Sequence, residues 1–197
     1  AGLAPRDLVV AMDGHPFIGQ PAATIHSLVS QALDSTVVLE VRGLDDRLRR
    51  IEVKRGAYHI APAKPQADAE EPTIRLPFFG DGTTRSLARA LADLPDGATS
   101  VILDLRDNAG GQLDEAIAAA DLFLEPGAVV MQLQGPDGRR ETRAAEGRRV
   151  FSGRVVALVN QGTRGAAEGF VAALRAHEVA TLVGTRTGGD VAVPEFH

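Results

Sequence analysis

The sequence has no cysteine and no tryptophan, one tyrosine, and only two lysines among its 21 Lys and Arg residues. Without Cys there is no disulfide, no thiolate metal ligand and no cysteine nucleophile. The compartment stays open on that count. The two lysines are Lys54 and Lys64, both in the first third of the chain. No apolar run reaches the roughly 20 residues that a membrane-spanning helix needs. A formal charge of −5 argues against nucleic acid as a partner, because phosphate binding calls for a basic surface. Arginines do cluster at Arg47, Arg49 and Arg50, and again at Arg139, Arg140, Arg143, Arg148 and Arg149. Acidic residues interleave with them, the pattern of solvated hairpins. No cofactor and no metal site are expected. The chain opens on Ala1-Gly2-Leu3 without Met, so a processed or partial chain is expected, with any targeting segment cut away.

What is present is a globular composition: 197 residues, 44% of them hydrophobic, with a mean hydropathy of −0.03. That is enough apolar material for a core needing no staples. The most informative stretch is Val101–Leu124, VILDLRDNAGGQLDEAIAAADLFL. It starts as a buried strand at Val101-Ile102-Leu103, turns through Asp104–Gly111, and becomes a helix with Leu113, Ile117, Ala120 and Leu124 on one face. Strand, glycine turn and helix is an arrangement that can aim backbone N–H groups at a negative oxygen. Taken alone, it reads first as an ordinary strand-to-helix bend whose glycines only make the turn.

The remaining chain divides by composition. In residues 1–58, Leu8–Met12 reads as a strand closed by Asp13-Gly14, Ala22–Leu33 as a helix, and Thr36–Val41 with Leu48–Val53 as a hairpin. Residues 59–72 are rich in Pro and Ala and read as a linker. From 73 onward strands alternate with helices. Thr73–Phe79 is a strand, and a helix carrying Leu87, Leu91 and Leu94 is capped by Thr83 or Thr84. Val129–Gln134 and Glu141–Ala145 form a hairpin. Val155–Val159 is a strand, Ala166–Leu174 a helix, and Thr181–Val183 a strand. This order predicts an α/β layer with a mostly parallel sheet.

Two resemblances sharpen the reading. AGLAPRDLVVAMDGHPF, followed by a helix and a hairpin, looks like the second half of a bacterial PDZ domain, covering residues 1 to about 56. The strand and carboxylate-binding loop that would complete a peptide groove are not in the chain, which leaves, with equal weight, the helix wall of a groove around Ile25 to Val29 or a plain packing element. The second unit, 73–197, resembles the C-terminal processing (tail-specific) peptidases, whose core has the Clp protease/crotonase fold. Three segments carry the likeness: Val101–Leu124, Val155–Glu168 (VVALVNQGTRGAAE) and Leu182–Gly189 (LVGTRTGG). The expected fold is therefore α/β, a partial PDZ-like α+β unit followed by a Clp protease/crotonase-like domain.

That family's chemistry needs a serine nucleophile, a neutral lysine base and backbone donors for the oxyanion. Residue by residue, the resemblance puts the nucleophile at Gly165, the base at Asp190 and a third polar group at Ala176. None of these can play its part. Neither Ser100 nor Ser152, the nearest serines, lies on the nucleophile turn. Thr163 reads as a turn residue, with a nucleophilic role as the alternative, and Glu168 as holding the turn. His177 with Asp190 or Glu168 is a candidate base pair, but a lone His on a surface helix is more often just solvated, and no nucleophile accompanies it. Gly110, Gly111 and Ala166 are the expected oxyanion-type cradle. The resemblance thus implies a degenerate peptidase relative that binds a peptide or protein, such as an unstructured C-terminus, in an extracytoplasmic or periplasmic setting. Oligomers with itself or with an active relative follow as further partners. The alternative is an active serine-type peptidase or other hydrolase, using residues outside the family pattern or groups from a partner chain.

Overall fold

The computed structural model describes residues 2–4, 6–29, 34–55, 63–65, 71–135 and 137–189, with only the backbone described at 22, 23, 26, 27 and 64. The chain divides into two compact units, Ala1–His59 and Ile60–His197. No helix among the described residues is long and apolar enough to cross a membrane.

The first unit is an antiparallel sheet of β1 (Leu8–Met12), β2 (His15–Pro16), β3 (Thr36–Arg42) and β4 (Leu48–Lys54), in the order β2-β1-β3-β4, with helix α1 (Ala22–Val29) between β2 and β3. The last four residues of the helix expected over Ala22–Leu33 lie outside the described residues. Alternation along β3 buries Val37, Leu39 and Val41, which join Met12 in a small core. Leu28 and Phe17 pack against that core. Arg55 reaches across to donate to Leu28 O at 2.7 Å, tying α1 to the sheet. Ile25 is half-buried, while Val29 is 50% exposed.

The second unit is built on a five-stranded sheet. Its strands are β5 (Lys64–Pro65), β6 (Thr73–Arg75), β7 (Ser100–Asp104), β10 (Arg154–Val159) and β11 (Ala180–Gly184), in the order β11-β10-β7-β6-β5. All neighbours run parallel except β5, which is antiparallel to β6. Three helices connect the parallel strands: α2 (Thr83–Ala92), α3 (Leu113–Asp121) and α4 (Ala166–Ala176). Each parallel strand is added beside the one before it. Right-handed crossovers then place all three helices on one face, and α3 packs against both α2 and α4. Between α3 and β10 the chain makes a separate hairpin, β8 (Val129–Gln134) with β9 (Arg140–Ala144).

The strand expected over Thr73–Phe79 ends early. Leu76 N still donates to Asp104 O, but Pro77 has no N–H to continue the ladder. Pairing resumes only as a parallel bridge of Phe79 to Gly111. Alternate residues Val101 and Leu103 on β7, and Val155, Ala157 and Val159 on β10, are buried under the helices. Phe170 of α4 sits at the centre, with ring centroids 5.2 Å from Phe79 and 6.1 Å from Phe123. Phe170→Ala is expected to destabilise the second unit by about 3–5 kcal/mol, the range for emptying a buried aromatic site, as read from urea denaturation.

Candidate functional site

The parallel strands β7, β10 and β11 end side by side, so the turns that leave their C-terminal ends meet. The turn after β7 begins with Asp104, which is fully buried. Its carboxylate takes Arg106 Nε and Nη2 at 2.9 Å each and Arg75 Nη1 at 3.3 Å. Burial pushes the Asp104 pKa up. The Arg106 hydrogen bonds and the charges of Arg106 and Arg75 outweigh it and hold the carboxyl below its ordinary 3.8.

Beyond Asp104, Asn108 links three segments. Its Nδ2 donates to Leu76 O at 2.9 Å, its Oδ1 accepts from Gly110 N at 2.8 Å, and its backbone O accepts from Arg164 N at 2.9 Å. Gly110 (φ 95°) then passes so close to the next turn that a Cβ there would lie 2.8 Å from Arg164 O and 3.0 Å from Ala166 N. Gly111 (φ 121°) has no room either, since a Cβ would collide with Phe79 O. Only glycine fits such positions.

The turn after β10 is held by Thr163, which is fully buried. Its Oγ1 donates to Leu105 O at 2.8 Å and accepts from Asn160 N at 3.0 Å. That is a structural role. Gly165 follows as the N-cap of α4 with φ 52°, ψ −122°. Its N–H donates to Glu168 Oε2 at 3.1 Å. The other oxygen of Glu168 accepts from Thr187 Oγ1 at 2.6 Å and from Gly189 N at 2.8 Å. Glu168 therefore fastens the segment after β11 to the turn carrying Gly165. Asp190, the next residue, lies outside the described residues.

Of the cradle residues, Gly110 has its N–H committed to Asn108. The N–H groups of Gly111 and Ala166 donate to no acceptor among the described residues. Ala166 is the first residue of α4, where an N–H has no intrahelical partner.

Helix geometry sets two of the sequence positions apart from the Gly165 turn. Ala176 is the last residue of α4, so it stands roughly 15 Å along the axis from Ala166, too far for a group there to act at Gly165. His177 is likewise at the far end of α4 from Glu168, and it bonds Val129 O through Nε2 at 2.8 Å, pinning the hairpin instead of pairing with Glu168. The expected capping of α2 by Thr83 or Thr84 also differs. Gly82 is the N-cap, and no side chain of the helix itself caps it. The cap comes from α3: Glu115 accepts from Gly82 N at 3.0 Å, and from Thr84 N at 2.9 Å and Thr84 Oγ1 at 2.7 Å. Burial raises the Glu115 pKa, but those donors prevail and hold it below the ordinary value. The sequence offered no signal for a cap from another helix. It did carry one for the Asp104–Arg106 pair, since Asp-Leu-Arg at the end of a strand points both charged side chains to one face.

The second unit is a parallel-sheet α/β domain with its strand-end turns gathered around one helix N-terminus. Residues 73–197 match the family model described as Peptidase family S41, and the chain belongs to that family. It is 32% identical over 196 residues to a carboxyl-terminal-processing protease of Synechocystis, covering 96% of this chain and 46% of that protein. It is 30% identical over 191 residues to the carboxy-terminal processing protease CtpA of Bacillus subtilis, covering 96% and 41%. Among solved structures it resembles the photosystem II D1 C-terminal processing protease, with a TM-score of 0.71 at 25% identity, covering 96% of this chain and 53% of that one. The chain thus spans less than half the length of these two curated relatives.

The Asp104 cluster makes the second unit acid-sensitive in a stated window. A carboxyl with a lowered folded pKa adds stability that is complete above its unfolded value near 3.8 and is lost as pH falls through the folded value. Asp104→Asn is expected to destabilise the protein at pH 7 by about 1.5–3 kcal/mol. The loss should shrink toward pH 2, as read from urea denaturation at both pH values.

Proposed function

We propose that this chain is a degenerate member of the S41 family that lacks Ser-Lys hydrolysis and works by binding a peptide or protein, as a scaffold or as a regulator of an active relative. One observation carries the reading. Gly165 occupies the helix N-cap where the resemblance puts the nucleophile, and it has no side chain. The supporting facts are chemical. Asp190 stands at the position of the base with the opposite charge, and the only lysines, Lys54 and Lys64, precede the strands of the parallel layer. Thr163, the nearest hydroxyl on the turn, has its oxygen engaged on both sides. The alternative of an active hydrolase with substitute residues has no group to rest on among the described residues.

What survives is the means to hold an oxygen. The N–H groups of Gly111 and Ala166, unpaired among the described residues, suit a peptide carbonyl or a C-terminal carboxylate, with Gly110 shaping the cradle rather than donating to it. In the first unit, Ile25 and Val29 are read as the helix wall of a PDZ-like groove. The extracytoplasmic setting and assembly with an active relative belong to the same reading, and sedimentation with such a relative tests the second.

The direct test uses unstructured polypeptides with apolar C-termini. The chain is expected to bind them without turnover. Cleavage that survives contaminant controls and disappears in Thr163→Ala overturns the proposal. Ala166→Pro removes a single donor at a helix position where proline is tolerated. The preceding Gly165 has the mirror image of a polyproline backbone, which an achiral residue before proline can adopt. This variant is expected to weaken binding by about tenfold, one good hydrogen bond to a charged or carbonyl oxygen, with little change in the unfolding midpoint.

A further inference from the structure

The turns after β7, β10 and β11 also frame an open recess of about 520 Å³, lined by Asp107, Asn160, Gln161, Gly162, Thr185 and Arg186. It shares no lining residue with the Gly111–Ala166 cradle, and its reading does not depend on the fate of the nucleophile and base. Two side chains of opposite charge line it, and they do not pair with each other. Asp107 uses Oδ1 to accept from Asn160 Nδ2 at 2.9 Å, and its Oδ2 has no partner among the described residues. Arg186 is exposed and makes no hydrogen bond or ion pair among the described residues. The neighbouring Arg106, whose charge Asp107 faces, is already committed to Asp104.

The walls are set before any ligand arrives. Asp107 sits in the left-handed region at φ 62°. Asn160 Oδ1 accepts from both Asp107 N and Gly162 N at 2.9 Å. Gly162 lies so close that a Cβ there would be 2.7 Å from Asp107 Cα. On the other side, Thr185 N donates to Val159 O at 3.2 Å and Gly188 N to Thr163 O at 2.9 Å, which fixes the segment bearing Arg186. A ligand with one charge satisfies one wall and is repelled by the other. A ligand with both charges, separated by an amide that Gln161 and Thr185 can hydrogen-bond, satisfies all four groups.

We propose that this recess binds the two ends of a short zwitterionic peptide, with Arg186 on its α-carboxylate and Asp107 on its ammonium group. A guanidinium takes a carboxylate through two parallel N–H bonds, which makes the contact directional as well as charged. The recess lies within the roughly 300–1,000 Å³ of small-molecule sites.

The test titrates the full chain with dialanine, N-acetyl-dialanine and dialanine amide, followed by calorimetry and by backbone amide NMR. Dialanine is expected to bind saturably and to shift the amides of Asp107, Gln161, Gly162, Thr185 and Arg186. Amidation of the peptide and Arg186→Gln are each expected to weaken binding by about tenfold or more, and the variant should no longer distinguish amide from acid. N-acetylation and Asp107→Asn form the matching pair, and the amide oxygen introduced by that substitution can still accept from Asn160. Absence of saturable binding overturns the proposal, and so does equal affinity for blocked and free dipeptides. The peptide series needs no variant, so the result stands even if one of them fails to fold.

Discussion

The approach of Gly110 to the backbone of Arg164–Ala166 is the constraint on which the site of the second unit depends. Two strand-end turns can touch at main-chain distance only if one of them has no Cβ. Once they touch, Asn108 can bond Leu76, Gly110 and Arg164 together, and Glu168 can bring in the segment after β11. A larger residue at 110 would therefore do more than crowd one contact. It would part the turns that give Gly165, Gly111 and Ala166 their relative positions. The buried polar groups here are satisfied by one another, which is what a low-dielectric interior demands of them.

Charge is handled by the same economy. Asp104 lies at the point where β7 leaves the sheet, and two half-exposed arginines share it. Neither arginine is buried, so the desolvation falls on the Asp104 carboxylate alone, and the several donors it gains at once outweigh it. Glu115 does for the start of α2 what a local cap would normally do, and it also stands in the first turn of its own helix, where a negative charge is favoured. One carboxylate thus serves two helix N-termini and locks α2 to α3.

The order of strands and helices from residue 73 onward could be read from the chain, because Val155–Val159 is an unbroken apolar run of strand length and apolar residues recur at spacings of three or four in Leu113–Leu124. The glycine turns were readable for the same local reason. The contacts that arrange the site were not. Glu115 and Thr84 are 31 residues apart, as are Asn108 and Leu76 to within one, and no periodicity links residues at such separations. Ala176 and His177 follow Gly165 closely in sequence, yet eleven helical residues carry the chain away from that turn before it reaches His177. Pro77 could have signalled the early end of β6, since its missing N–H was visible from the start.

The backbone at Gly165 is one that glycine holds more easily than any other residue. At φ 52°, ψ −122° an L residue is strained, and strain of this kind costs of order 1–3 kcal/mol and persists where function uses it. Glycine sits there without strain. A serine at this turn would be held against its own conformational preference by the Asn108 and Glu168 networks. Glycine leaves those networks intact and removes the penalty. The turn and the clamp on the segment after β11 are formed by bonds between backbone groups and side chains other than that of residue 165.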